Sequence, residues 1–147
     1  MYYRIQMDPE YKDRFLETTS KAATEDVNHP QTVLNAAFDA VIQGDFSRFG
    51  EFITDDVELT ICGFSPMDGT WRGHDEVVAA TRKNFALLGD QKPEIESMIT
   101  DREHVAVLVR ERGVLKSNGQ AYSIRGVQWF TFANGKIKKI EEIIVSV

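Results

Sequence analysis

With 147 residues, the chain is long enough for one domain with a real core and too short for two. Its apolar fraction of 42% and charged fraction of 27% are those of a soluble globular protein, and a formal charge of −6 excludes the basic surface that nucleic acid requires. No apolar run reaches the ~20 residues that cross a bilayer, and Arg4, Asp8 and Glu10 break any signal-peptide centre, so a cytoplasmic protein without a membrane partner is expected.

In chain order, Asp8-Pro9-Glu10 has the form of a helix start, with Asp8 capping and Pro9 where a missing N–H costs nothing. The spacing predicts a helix to about Glu25 with a thin stripe of Tyr11, Phe15, Thr19 and Ala22. Residues 1–28 are therefore expected to be a helical extension, packed on a domain of residues 29–147 or on a partner chain. Asn28-His29-Pro30 repeats the start signal, and Val33, Leu34, Ala37, Phe38, Val41 and Ile42 follow at helical spacing until Gly44, which marks a core helix. Asp45 then caps a short helix bearing Phe46, Phe49, Phe52 and Ile53.

Alternation of Val57, Leu59 and Ile61 with Glu58, Thr60 and Cys62 predicts a strand. Phe64 to Gly69 holds a Pro and a Gly and reads as a loop, and Thr70-Trp71-Arg72 as a turn or minor strand. A helix is expected from about His74 to Leu88, its first turn carrying Asp75 and Glu76 and its later turns Arg82 and Lys83, as the macrodipole prefers. Val77, Val78, Thr81, Phe85 and Leu88 form its buried stripe, and Gly89 stops it. Pro93 to Thr100 is a further strand.

The last third orders the rest: three β-rich runs joined at Asn118-Gly119 and Asn134-Gly135, the dipeptide that best accepts the positive φ of a tight hairpin. A two-residue loop at Asn118-Gly119 places Glu111 opposite Gly126, Val109 opposite Gln128, Val107 opposite Phe130 and Val105 opposite Phe132. That face is apolar except for Glu111 and Gln128, and the glycine leaves room beside the carboxylate. Leu108, Arg110, Arg112, Arg125, Val127 and Trp129 take the other face, which meets solvent or a partner subunit; a one-residue slip would exchange the two. In the last strand a simple Asn134-Gly135 turn points Lys139 and Glu141 inward, whereas one bulge points Ile140 and Glu142 inward instead. Helices set against a bent antiparallel sheet make an α+β fold, whose concave side is the place for a mainly apolar pocket.

The order of blocks is similar to a known family. Gly44-Asp45-Phe46, Phe52-Ile53-Thr54-Asp55-Asp56-Val57, Trp71-Arg72-Gly73-His74-Asp75-Glu76-Val77 and Phe130-Thr131-Phe132 before Asn134-Gly135-Lys136-Ile137 resemble the SnoaL-like polyketide cyclase and ketosteroid isomerase group of the nuclear transport factor two superfamily. The resemblance covers about Pro30 to Val147. It implies a cone-shaped, cystatin-like α+β barrel, with a curved mixed or antiparallel sheet wrapped over three helices and an extra N-terminal helix. It further implies a homodimer, no cofactor, and either isomerase, cyclase or hydrolase chemistry or a non-catalytic binding or association role. The isomerase residues do not carry over: the general base falls near Ile61, the oxyanion-hole tyrosine near Ala37 and Phe38, and the second acid at Gln128.

Glu111 is the candidate catalytic group, since a poorly solvated carboxylate exchanges a proton near neutral pH; the plainer alternative is an ion pair at the open end of the sheet. Gln128 is the candidate for holding a ligand oxygen. Ile61, Phe38, Phe64, Trp71, Phe85, Val109 and Phe130 are the candidate lining, with core filling the alternative for each aromatic. His74, at a helix start, is expected to be a neutral capping group. No histidine pair has metal-ligand spacing, and a lone Cys62 leaves no cysteine cluster, so no metal is expected; a buried thiol is expected at Cys62. Arg112 opposite Arg125 needs an intervening acid, for which Glu142 is one candidate; a subunit interface and an anion site are other readings of that arginine cluster. The expected ligand is a small, largely apolar molecule with a polar oxygen, and the outer sheet face is the expected dimer surface.

Overall fold

The structure, a computed structural model, describes residues 29–147. The predicted extension lies outside these residues. Helix α1 spans Pro30–Ile42, with Pro30 in its first turn and the His29 ring accepting the Gln31 N–H at 3.3 Å. Its stripe of Val33, Leu34, Ala37, Ala40 and Val41 is buried. Asp45 caps the short α2, Phe46–Gly50, by accepting the Arg48 N–H at 3.0 Å. Strands β1 (Ile53–Cys62) and β2 (Gly69–Arg72) pair antiparallel around the Phe64–Asp68 loop. Helix α3 spans His74–Leu87 and passes into β3, Leu88–Thr100, with no loop between, so Gly89 is a strand residue and not the helix stop. β4 (His104–Leu115), β5 (Ala121–Ala133) and β6 (Lys136–Ser146) complete a mixed sheet of order β2-β1-β6-β5-β4-β3, in which only β1 and β6 run parallel. This is the expected α+β architecture: helices over the concave face of a curved, open sheet.

The two Asn-Gly turns behave differently. Asn134 and Gly135 both have positive φ, 52° and 75°, and Ala133 pairs with Lys136 across a two-residue loop. At the other turn only Gly119 is left-handed, φ 71°. There Gly119 N–H donates to Leu115 O, Leu115 N–H donates to Gln120 O, and Asn118 Oδ1 accepts the Gln120 N–H, so the loop is longer than two residues. The β4–β5 register is consequently shifted by two from the predicted one: Glu111 pairs with Ile124, Val109 with Gly126, Val107 with Gln128 and Val105 with Phe130. An even shift preserves the faces, so every inward residue stays inward while its neighbours change. In β6, Phe132 pairs with Ile137 but Thr131 with Lys139, and this one-residue bulge turns Ile140 and Glu142 inward.

Gly126 does not make room beside Glu111. A Cβ there would lie 2.5 Å from Ile143 O, so its missing side chain lets the β6 backbone approach. On the outer face Arg125 is opposite Arg110, not Arg112, and Glu96 supplies the acid: Arg110 Nε is 3.0 Å from one carboxylate oxygen and an Arg125 guanidinium nitrogen 2.7 Å from the other. Glu142, being inward, has no part in this cluster.

Candidate functional site on the concave face of the sheet

Strand pairing lays out the concave face in rows. Leu59, Ile140, Phe130 and Val105 form one; Ile61, Glu142, Gln128 and Val107 the next; Ile144, Gly126 and Val109 the third; Ile124 and Glu111 the fourth. Two rows carry buried polar groups. Gln128 Nε2 donates to Glu142 Oε1 at 3.4 Å, so the amide expected beside Glu111 is instead next to a second carboxylate, and the Ile144–Gly126–Val109 row separates it from Glu111.

Glu111 is fully buried, and its two oxygens are held by neutral donors: Gln91 Nε2 on Oε1 at 3.3 Å and the Tyr122 hydroxyl on Oε2 at 3.0 Å. Desolvation pushes its carboxyl up to about 7, the negative Glu142 adding to this and the Tyr122 and Gln91 hydrogen bonds opposing it. Burial and the neighbouring carboxylate push the Tyr122 phenol up as well, which keeps it a proton donor. Among the described residues, neutral donors and no cation hold the Glu111 oxygens.

Two local devices aim the donors. Between the pairs Gly89–Val114 and Lys92–Arg112, β3 holds one residue more than β4, and Asp90 there has a positive φ of 47°; this bulge turns Gln91 inward. Tyr122 pairs with Gly113, and a Cβ on Gly113 would lie 2.6 Å from the Tyr122 hydroxyl, so the ring lies across the glycine to reach Glu111. Replacing Tyr122 by Phe is expected to raise the Glu111 titration midpoint further, by about one pH unit, because the carboxylate loses a donor while the ring remains. Carboxyl 13C NMR across pH 5–9 measures it, and Gly113→Ala is expected to shift it the same way.

Of the other candidates, Ile61, Val109 and Phe130 are buried on this face, and Phe38 meets Phe130 edge to face at 5.7 Å between ring centres. Phe64 is buried against Tyr122 at 5.4 Å. Trp71 is half-buried over Gly69, and Phe85 packs on Phe46 between α2 and α3. Sequence reasoning missed Gln91 and Tyr122. A glycine within a strand pattern, Gly113, was the signal for a ring lying close to the backbone.

His74 is not the neutral cap expected. Gly73 takes the cap position, and the imidazole bridges two acceptors, Gly50 O at 2.8 Å from Nε2 and Asp75 Oδ1 at 3.0 Å from Nδ1. The Asp75 hydrogen bond, then the Gly50 carbonyl, raise its pKa above 6.5. The link between α2 and α3 is thus at full strength below pH 6.5 and is lost as pH rises through the raised value. His74→Gln is expected to lower the melting temperature at pH 5.5 and to do so less at pH 8.5. Cys62 is exposed rather than buried, because β1 alternation puts it on the outer face beside the exposed Ile143.

Among the described residues no three His, Cys, Asp or Glu side chains gather as a metal site, and no helix is long and apolar enough to cross a membrane. Two open surface hollows of about 450 and 470 Å³ lie elsewhere, one lined by Asp55, Arg72 and His74 to Glu76, the other by Pro30, Arg102, Glu103 and the Thr131–Gly135 turn.

A curved six-stranded sheet with three helices, and with Gln91, Glu111, Gln128 and Glu142 buried on it, defines a protein of the nuclear transport factor two-like class. Within that class the chain belongs to the SnoaL-like domain family, whose model matches residues 34–140. No curated protein matches it. Solved structures share the fold. An NTF2-like protein of Burkholderia xenovorans superposes with a TM-score of 0.67 at 24% identity, over 76% of this chain and 86% of that one. An NTF2-like protein of unknown function from Burkholderia pseudomallei gives 0.66 at 25%, over 80% and 89%. Rv0760c of Mycobacterium tuberculosis, in complex with estradiol-17beta-hemisuccinate, gives 0.61 at 18%, over 75% and 88%.

Proposed function

We propose that this SnoaL-like domain binds a small, mainly apolar organic molecule bearing a polar oxygen against the concave face of its sheet, and that Glu111 exchanges a proton with it without a cofactor. The observation that carries the reading is a buried carboxyl, titrating at about 7, with both oxygens fixed by neutral donors. A structural ion pair would hold Glu111 ionised; this environment leaves both protonation states accessible at neutral pH, which is what an acid–base group needs. The Mycobacterium tuberculosis protein of the same fold is in complex with estradiol-17beta-hemisuccinate, which supports an organic ligand. In the proposed reaction the Glu111 carboxylate takes a proton from a carbon next to a carbonyl and returns it. The test is hydrogen–deuterium exchange at the α-carbons of cyclohexanone in D2O, followed by NMR. Catalysed exchange is expected to rise with pH through about 7 as Glu111 ionises; a protein that gives no acceleration over buffer sinks the reading.

A second property rests on a separate observation. Val127, Trp129, Ile143 and Val145 are exposed together on the outer sheet face, at 37, 41, 61 and 56%, and the Trp129 ring lies tilted against His104. An apolar sheet face of this kind is an association surface, which favours a homodimer formed through it. Trp129→Glu is expected to convert a dimer to a monomer in sedimentation; a wild-type monomer at micromolar concentration would end that proposal.

A further inference from the structure

Between β1 and β2 the chain Gly63-Phe64-Ser65-Pro66-Met67-Asp68 folds back on itself. Phe64 O accepts the Met67 and Asp68 N–H groups at 2.9 and 3.0 Å, and Asp68 Oδ1 accepts the Phe64 N–H at 2.7 Å. Pro66 fixes one φ inside the turn. These three bonds make a small stiff unit with a glycine at each end: Gly63, of φ 95°, and Gly69, the first residue of β2. Ser65, Pro66 and Asp68 are exposed. Phe64 and Met67, 7% and 1% exposed, are set in the core and fasten the turn to it.

This turn is an outer layer over the buried carboxyl. Phe64 lies against the half-buried Tyr122 ring, 5.4 Å between ring centres, and the Tyr122 hydroxyl is 3.0 Å from Glu111 Oε2. From the surface inward the groups are therefore the exposed turn, Phe64, Tyr122 and Glu111. A carboxyl with 0% exposure trades protons with water, or meets a ligand, only when some part of its cover moves. β1 is locked between β2 and β6 by strand ladders, whereas the turn is fastened by two apolar side chains, so it is the part that lifts with the least loss of structure.

We infer that the Phe64–Asp68 turn is a lid on the Glu111 end of the concave site: it swings as one piece between Gly63 and Gly69, lifts Phe64 from Tyr122, and admits water and a small apolar ligand to the carboxyl. Asp68 is the latch that keeps the turn closed on itself, and Phe64 is the stopper. Admission of a ligand rests on the reading of the concave face as the binding site; the opening itself does not.

Hydrogen exchange on the wild-type full chain tests the opening with no variant. The Phe64, Met67 and Asp68 amides are expected to open together and to exchange at least ~100-fold faster than those of Leu59 and Ile140, which lie inside the β1–β6 ladder. Turn amides that open only with the whole sheet overturn the lid. Asp68→Ala is expected to quicken Met67 exchange about tenfold, the worth of one hydrogen bond to a charged acceptor, and Asp68→Asn, which keeps an acceptor oxygen, to do so less. Phe64→Ala lets water stand against Tyr122, and the Glu111 midpoint is expected to fall from about 7 by about one pH unit, read by carboxyl 13C NMR. An unmoved midpoint overturns the role of Phe64 as stopper. Cyclohexanone is the probe of passage: its association rate, from NMR line shapes, is expected to rise about tenfold in Asp68→Ala, in step with the opening. An association rate equal in wild type and Asp68→Ala overturns the turn as the route of entry. No cyclohexanone binding at all overturns instead the concave face as a ligand site, and the turn amides still decide the opening.

Discussion

Glu111→Gln is expected to end proton exchange and, at the same time, to stabilise the protein above pH 8. The carboxyl titrates at about 7 in the folded chain against 4.5 for an exposed glutamate. Between those values the folded state keeps a proton that the unfolded state has lost, so folding stability falls as pH rises through this window. The shift of about 2.5 units, at ~1.4 kcal/mol each, amounts to roughly 3 kcal/mol of destabilisation at pH 9 that glutamine, having no charge, does not carry. Part of the gain is offset because Gln91 and Tyr122 then face an amide, although the Tyr122 hydroxyl can rotate to accept. Urea unfolding is expected to give a gain of about 2 kcal/mol at pH 9 and little at pH 4.5, where wild-type Glu111 is already protonated. Exchange of cyclohexanone α-hydrogens is expected to drop at least ~100-fold, the usual worth of a positioned acid–base group. An equal stability gain at both pH values would mean that ionisation of Glu111 is not the source, and an unchanged exchange rate would remove its chemical role.

Gly63→Ala is the substitution expected to damage the fold most. Gly63 has a φ of +95°, and a Cβ there would sit 1.8 Å from the Ile144 carbonyl oxygen, a clash with backbone and not with a flexible side chain. Left-handed strain costs about 1–2 kcal/mol and overpacking typically ~1–3 more, so a loss of roughly 2–5 kcal/mol is expected. That is a large part of the stability of an ordinary domain. The consequence reaches the site, because Gly63 directly precedes Phe64, which packs on the Tyr122 ring that holds Glu111, and follows Ile61, in the row of Glu142, by two residues. Thermal melting measures the loss. A variant melting within a few degrees of wild type would show that β1 and β6 can separate locally without cost to the domain.

Much of this protein was legible in its sequence by itself. The order of helices and strands follows from apolar spacing, the hairpin at Asn134-Gly135 from turn chemistry, and the inward parity of Glu111 and Gln128 from alternation, because each of these is set by a few consecutive residues. Alternation has a period of two, so it could not detect an even shift: Glu111 kept its face while its neighbour changed from Gly126 to Ile124. The choice of Glu142 over Glu141 in β6, and the inward turn of Gln91 in β3, depend on bulges, which answer to the curvature of the whole sheet and not to local pattern. Only the tertiary structure decided which groups stand around the buried carboxyl. Tyr122, eleven positions from Glu111 in the chain, reaches it across Gly113, with which it pairs in space, and the raised proton affinity of the carboxyl comes from water that the assembled core removes.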